Sequence, residues 1–395
     1  MHTRHLGLAL FLVALAWPGL AAVPPDAPIW ANREWERIPS TVGGHEGMDT
    51  VTALFFAFPP RQGGLAVIQD VDPAQGDRLV GGSMVKFHSL ARWGWNAYGN
   101  LHNAEVVLTG DPPAKAMLGA LRELNVLESQ GDRVMADFVW PLLVEEHPRG
   151  LLVMRCVFRA EEPSWLYART FVAGDPRLTI RSLSLSSFGG STSLAPGAQQ
   201  GVFGLSEGGP APARGPLALD QYWFFAAHQL NAAAAIGSRG SAGIFLPSQL
   251  QELSYLGGGS LRLTPTPGAR EVSWAISDFH ESPEAWIAAA RAASAERQKR
   301  LAEMAWRPDM ARELQLLDAD AKPFLRSLEA QSPTRTAWQK ERAAVEEAIR
   351  ATEGTAVGSE EELVYGAVVQ QARLQLKSLW PEAVKELFPT GAAED

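Results

Sequence analysis

The sequence predicts a mainly β protein, a large antiparallel β-sandwich, with an α-helical C-terminal region. Three observations carry this. From about residue 50 to residue 279 the apolar runs are short and punctuated by Gly, Pro, Asp and Ser. Several of these runs recur at spacings of about ten residues, which favours antiparallel strands over alternating βαβ units. At Ser282-Pro283-Glu284 the character changes, and helix formers (Ala, Glu, Arg, Leu, Gln) dominate to the end.

Four segments follow from this pattern: a signal peptide over 1–22, an extended lead-in over 23–49, the sandwich over 50–281 and the helical region over 282–395. The first five residues carry Arg4, an unbroken apolar run spans 6–17, and Pro18-Gly19 precedes small residues that suit cleavage after Ala21 or Ala22. That run is well short of the ~20 residues that cross a bilayer. We therefore expect an exported protein, periplasmic or secreted, with no transmembrane segment after cleavage.

Within the sandwich the expected strands are 51–58, 64–69, 105–109, 134–144, 151–158, 165–172, 177–187, 221–228, 243–246, 260–264 and 271–278. Leu178 and Ile180 share one parity while Leu183 and Leu185 share the other. Either a bulge near Arg181–Ser182 bends this strand, or apolar layers cover both its faces. Asp111-Pro112-Pro113 reads as an N-cap and first turn, which predicts a helix over 116–124. The Gly-, Pro- and Ala-rich stretch 193–219 reads as a long surface loop.

In the tail, Ser282 and Ser332 each precede a proline, the N-cap then N1 arrangement. Ser359-Glu360-Glu361-Glu362 is a capping box ahead of an apolar stripe at Val364, Val368, Ala372 and Leu379. These helices are expected either to pack on the sandwich or to project from it.

Lys plus Arg total 35 against 44 Asp plus Glu, a formal charge of −9. This acidic balance argues against nucleic acid as a partner and against anionic lipid. Cys156 is the only cysteine, so there is no disulfide framework, and its place in the apolar run 151–158 predicts a buried, inert thiol.

The richest local constellation runs from Phe87 to Glu105. Between His88 and Asn103 lie three aromatics, two histidines, one arginine and three asparagines. Sugar recognition uses this mixture, with flat rings under C–H faces and amide, guanidinium and imidazole groups on the hydroxyls. Arg92, Trp93, Trp95, Tyr98, Asn100 and His102 are the candidate ligand-binding residues, on a loop marked by Gly94 and Gly99. The competing reading tucks the rings into the core and uses the asparagines to close turns. A second group, Asp278, His280 and Glu281, could supply an acid and a base or simply form a solvated turn into the helix at Pro283. His228 reads as a hydrogen-bonded core histidine. Gly204-Leu205-Ser206-Glu207-Gly208 matches GxSxG by chance, since Gly209-Pro210 replaces the required helix. No motif calls for a metal or cofactor.

The chain loosely resembles the galactose mutarotase-like supersandwich over about residues 50–280. The residues that carry the likeness are Val80-Gly81-Gly82-Ser83 leading into the His88–His102 loop, then Gly243-Ile244-Phe245-Leu246-Pro247, then the closing strand Val272-Ser273-Trp274-Ala275-Ile276. The family's Asn-His-Thr-Tyr/Phe-Phe-Asn-type motif is absent, so no catalytic residue carries over. The resemblance implies a sugar on a concave sheet face. If mutarotation occurs, His102 is the candidate acid and Glu105 or Asp278 the candidate base. The expectation is a carbohydrate-interacting, mutarotase-like exported protein. One alternative is a periplasmic or cell-surface assembly protein whose C-terminal helices bind a protein partner. Another is a polysaccharide lyase or hydrolase.

Overall fold

The structure, a computed structural model, describes residues 31–39, 48–58, 61–72, 78–88, 96–100, 104–128, 132–162, 164–188, 202–205, 214–227, 240–246, 249–257, 260–279 and 283–387. It is mostly antiparallel β-sheet with helices at the C-terminus.

Two broad sheets form the body. The first joins β1 (Ala31–Pro39), β2 (Met48–Phe58), β3 (Arg61–Asp72), β4 (Arg78–His88) and β5 (Asn96–Asn100) in sequence order. It continues through β12 (Leu178–Phe188), β18 (Ser260–Pro265), β17 (Leu250–Gly257) and β14 (Gly215–Leu217). The second sheet runs from β8 (Glu123–Glu128) through β9 (Arg133–Val144), β10 (His147–Arg159), β11 (Trp165–Gly174) and β19 (Glu271–Phe279). It ends in β16 (Gly240–Phe245), β15 (Trp223–Ala227) and β13 (Val202–Leu205). Short strands β6 (Glu105–Leu108) and β7 (Ala114–Leu118) connect the two layers, β6 pairing with β12 and β7 with β9.

The two-residue side-chain period sorts the middle strands between two cores. Leu152, Met154, Cys156 and Phe158 of β10 face inward and share one apolar cluster with Leu54, Leu65 and Val67 of the first sheet. Val157, of opposite parity, packs in another cluster with helix residues. Buried on both sides, β10 reads in sequence as a continuous apolar run. Burial, and then the Asp137 charge, push the Cys156 thiol well above its usual range, as suits an inert core residue. In β16, Gly243 is required by close packing, because a Cβ there would lie 1.9 Å from the Phe224 ring.

In β12 the pairing with β6 shifts register between Ile180 and Ser182. That bulge lets Leu178, Ile180, Leu183 and Leu185 all enter the inter-sheet core. The expected helix over 116–124 does not form. Ala114–Leu118 is strand β7 and Glu123–Glu128 is strand β8, while Asp111–Pro112 is a cis bond. The N-cap signal is outweighed by alternation: in β7 Ala116 is buried between exposed Lys115 and Met117, and Leu124 and Val126 of β8 are buried in the inter-sheet core. The stretch 193–219 likewise holds two short strands, β13 and β14, and β1 in the lead-in pairs along its whole length with β2.

Four helices follow: α1 (Pro283–Ala302), α2 (Met310–Ser327), α3 (Pro333–Thr352) and α4 (Glu360–Leu387). They pack on the second sheet. Leu301, Leu314, Trp338, Val345 and Leu376 join Trp165, Tyr167, Trp223 and Ala275 in one cluster. Ser332 caps α3, its hydroxyl accepting from the Arg335 N–H at 3.1 Å, and Ser359 accepts from the Glu362 N–H at 3.2 Å. The expected stripe on α4 holds only in part: Leu379 is half-buried against the same cluster. Val364 and Val368 are exposed, and among the described side chains of α4 the buried positions are Glu362, Leu363, Gly366, Leu376 and Ala383. Glu362 turns inward to meet an arginine of the sheet. Among the described residues no helix is long and apolar enough to cross a membrane.

Candidate functional site

Arg92, Trp93, Trp95 and His102 lie outside the described residues, as do His228, His280 and Glu281. Tyr98 and Asn100 fall in β5, where Asn100 pairs with Met84 and Gly99 with Val85 and Leu185. β5 is therefore an interior strand of the first sheet, between β4 and β12. Glu105 opens β6 opposite Ser182, and its carboxylate pairs with Arg181 at 3.2 Å on the surface. Asp278 stands in β19 opposite Ser241 of β16. Glu105 and Asp278 thus lie on strands that no pairing joins among the described residues. Ser206 of the GxSxG string is also outside them.

The most deeply buried ion pairs among the described residues lie elsewhere, at the seam between the second sheet and the helices. Its buried centre is Arg155 on β10. The guanidinium donates to both Asp137 oxygens of β9, at 2.8 and 2.7 Å, to the Trp306 carbonyl at 2.8 Å, and to Glu362 of α4 at 3.2 and 3.3 Å. All three charged side chains are at most 2 % exposed. Burial raises the Asp137 carboxyl, partly offset by Arg155. Burial opposes the Arg155 charge as well, but Asp137 and Glu362 outweigh it and hold the guanidinium firmly protonated.

A second node surrounds Glu162, in the turn between β10 and β11. It accepts from the Tyr167 hydroxyl at 2.6 Å and pairs with Arg297 and with Arg300, the latter at 2.9 Å, both on α1. Arg297 also lies over the Trp165 ring, 5.0 Å from its centroid. Burial, and then the Arg300 charge, lower the Arg297 guanidinium, while burial pushes the Tyr167 hydroxyl up.

Next to this node opens a cleft of about 560 Å³. Its walls are the ends of β9 and β10, the turn after β10, α1 and the start of α2. Arg133, Arg159, Lys299, Arg300 and Arg312 line it together with Asp132, Glu161, Glu296 and Glu303. Burial alone would raise the Asp132 carboxyl, but the hydrogen bond and charge of Arg312 outweigh it and hold that carboxyl below its ordinary value. Single-sequence reading missed this cleft because its members come from segments up to 180 positions apart, as Asp132 and Arg312 are. The only local signal was Arg159-Ala160-Glu161-Glu162, a dense charged turn between two apolar runs.

Among the described residues no group of three or more His, Cys, Asp or Glu is placed to hold a metal ion. The fold and its seam define a class by architecture alone: a large antiparallel two-sheet body with a helical layer that packs on one sheet through an apolar cluster and a buried arginine. Comparison with protein-family models and with curated proteins finds no match.

Proposed function

We propose that this is an exported, carbohydrate-interacting protein whose sugar lies against the first sheet, held by the residues between His88 and Asn103. The observation that supports this reading is the division of labour between the sheets. The helices pack on the second sheet, whereas the aromatic and amide-rich stretch begins at the end of β4 and contains β5, both interior strands of the first. A broad sheet with a binding loop between central strands is a common support for a ligand site. Export is part of the proposal and rests on the first 22 residues.

The test is a panel of neutral mono-, oligo- and polysaccharides against the protein from Val23 onward, read by tryptophan fluorescence and thermal shift. Saturable binding that raises Tm and is lost in Trp93→Ala and Trp95→Ala supports the reading. Glycan binding that both variants retain refutes the loop assignment, and no binding across the panel refutes the carbohydrate reading.

A further inference from the structure

The cleft at the seam contains two kinds of charge, and they are held differently. Arg133 is 18 % exposed and is gripped from beneath: it donates through two nitrogens to Glu128, each at 2.5 Å, and through a third to the Ala305 carbonyl at 3.2 Å. Arg300 is 24 % exposed and pairs with the buried Glu162. Glu128 and Glu162 are themselves almost wholly buried, so these two guanidiniums keep their positions whatever enters the cleft.

The carboxylates on the solvent side are not so held. Asp132, Glu161, Glu296 and Glu303 are each more than half exposed. Arg159 pairs with Glu161 at 2.9 Å, Arg300 with Glu161 at 2.5 Å and with Glu296 at 3.3 Å, and Arg312 with Asp132 at 3.0 Å. Exposed pairs of this kind contribute at most about 1 kcal/mol. An incoming anion can therefore take over the guanidinium donors while Glu161, Glu296 and Asp132 swing into water.

We propose that this cleft binds a ligand carrying two or more carboxylate groups, which replace the exposed carboxylates on Arg159, Arg300 and Arg312. Guanidinium forks match carboxylates bidentately, and the volume is that of an ordinary small-ligand site. Two sources share this chemistry, an acidic oligosaccharide and a small polycarboxylic acid. The site is separate from the one proposed on the first sheet and does not depend on it.

The experiment is titration calorimetry on the whole protein with a galacturonic acid trimer, citrate and a neutral galactose trimer, at two salt concentrations. We expect saturable binding of an anionic probe that weakens with salt. Arg159→Gln with Arg312→Gln should weaken it about tenfold. Glu161→Gln should tighten it about two- to fivefold by removing the competing carboxylate. Glu252→Gln, on β17 of the other sheet, has the same charge change and should leave affinity unaltered. Tm measured for each variant separates lost binding from lost fold. A stronger signal from the uronate trimer assigns the ligand to acidic glycan, and a stronger signal from citrate assigns it to a small acid. Absence of anion binding, or anion binding indifferent to the cleft variants, overturns the proposal. Binding of the neutral trimer that ignores the cleft variants belongs to the first-sheet site.

Discussion

The two faces of the second sheet solve the same burial problem with different chemistry. Toward the first sheet, β9 and β10 present Phe138, Trp140, Met154 and Cys156, an apolar surface. Toward the helices the same strands present Met135, Val139, Val153 and Val157 and, set among them, Asp137 and Arg155, buried as deeply and joined to Glu362. Apolar contact is non-directional, so the inner face sets that the sheets meet and the strand pleat sets where. Helices lack such a ladder to the sheet. A guanidinium with fixed donor geometry supplies one, joining Asp137 to Glu362 and to the carbonyl of Trp306 at the foot of the helical layer. Apolar contact thus holds the layers together on both faces, while the directional ions of the outer face select one seating for α4.

The comparison breaks most readily at Arg155. Arg155→Ala leaves two carboxylates buried without their counter-charge and is expected to cost about 5 kcal/mol in urea unfolding. Replacing the triad together (Asp137→Leu, Arg155→Met, Glu362→Leu) should recover most of that loss. Faster amide exchange at the start of α4 in that variant would mark the loss of unique seating. A triple variant as unstable as Arg155→Ala would show that the ions supply net cohesion and not seating alone.

On the inner face, Trp140→Ala should cost about 4 kcal/mol, as a large side chain removed from a packed core does. Unlike the arginine variant, it should leave exchange within α4 no faster than global unfolding allows. Equal local exposure of α4 in both variants would erase the distinction between the faces.

Smaller effects sharpen the picture within the helical layer. Ser332→Ala removes the α3 cap and should lower stability by about 1 kcal/mol. It also removes a hydroxyl that donates to Glu386 of α4 at 2.5 Å. The hydrogen bonds from Ser332 and Thr334 hold the Glu386 carboxyl below its ordinary 4.5. A lowered folded-state value stabilises the fold above the unfolded pKa and loses that stabilisation as pH falls through the folded one. Glu386→Gln should therefore be slightly less stable than the wild type at neutral pH, and the gap should close in acid. A gap that widens on acidification would contradict the assigned pairing.

How much of this was legible before folding can be argued residue by residue. The sheet-to-helix change at Pro283 and the caps at Ser332 and Ser359 depend on near neighbours, and near neighbours are what a sequence displays. The parity change in 178–185 left a bulge and two covered faces open, and pairing with β6 decided for the bulge. Ala116–Leu124 was misread because its proline signal is local while its competing partners, Val106 on β6 and Leu142 and Leu143 on β9, include residues more than twenty positions away. Glu362 shows the division within a single residue. The capping box placed it at the start of α4, where its N–H meets Ser359. Only tertiary structure brought Arg155, 207 positions earlier in the chain, to its carboxylate and turned Val364 and Val368 outward. By itself the sequence determined the change from strands to helices near Pro283 and the caps of the helical region, because propensity and capping act over a few residues. Which arginine meets which carboxylate, and hence where a cleft opens, was decided by the packing of helices on the sheet, since opposite charges declare no partner until the fold removes them from water.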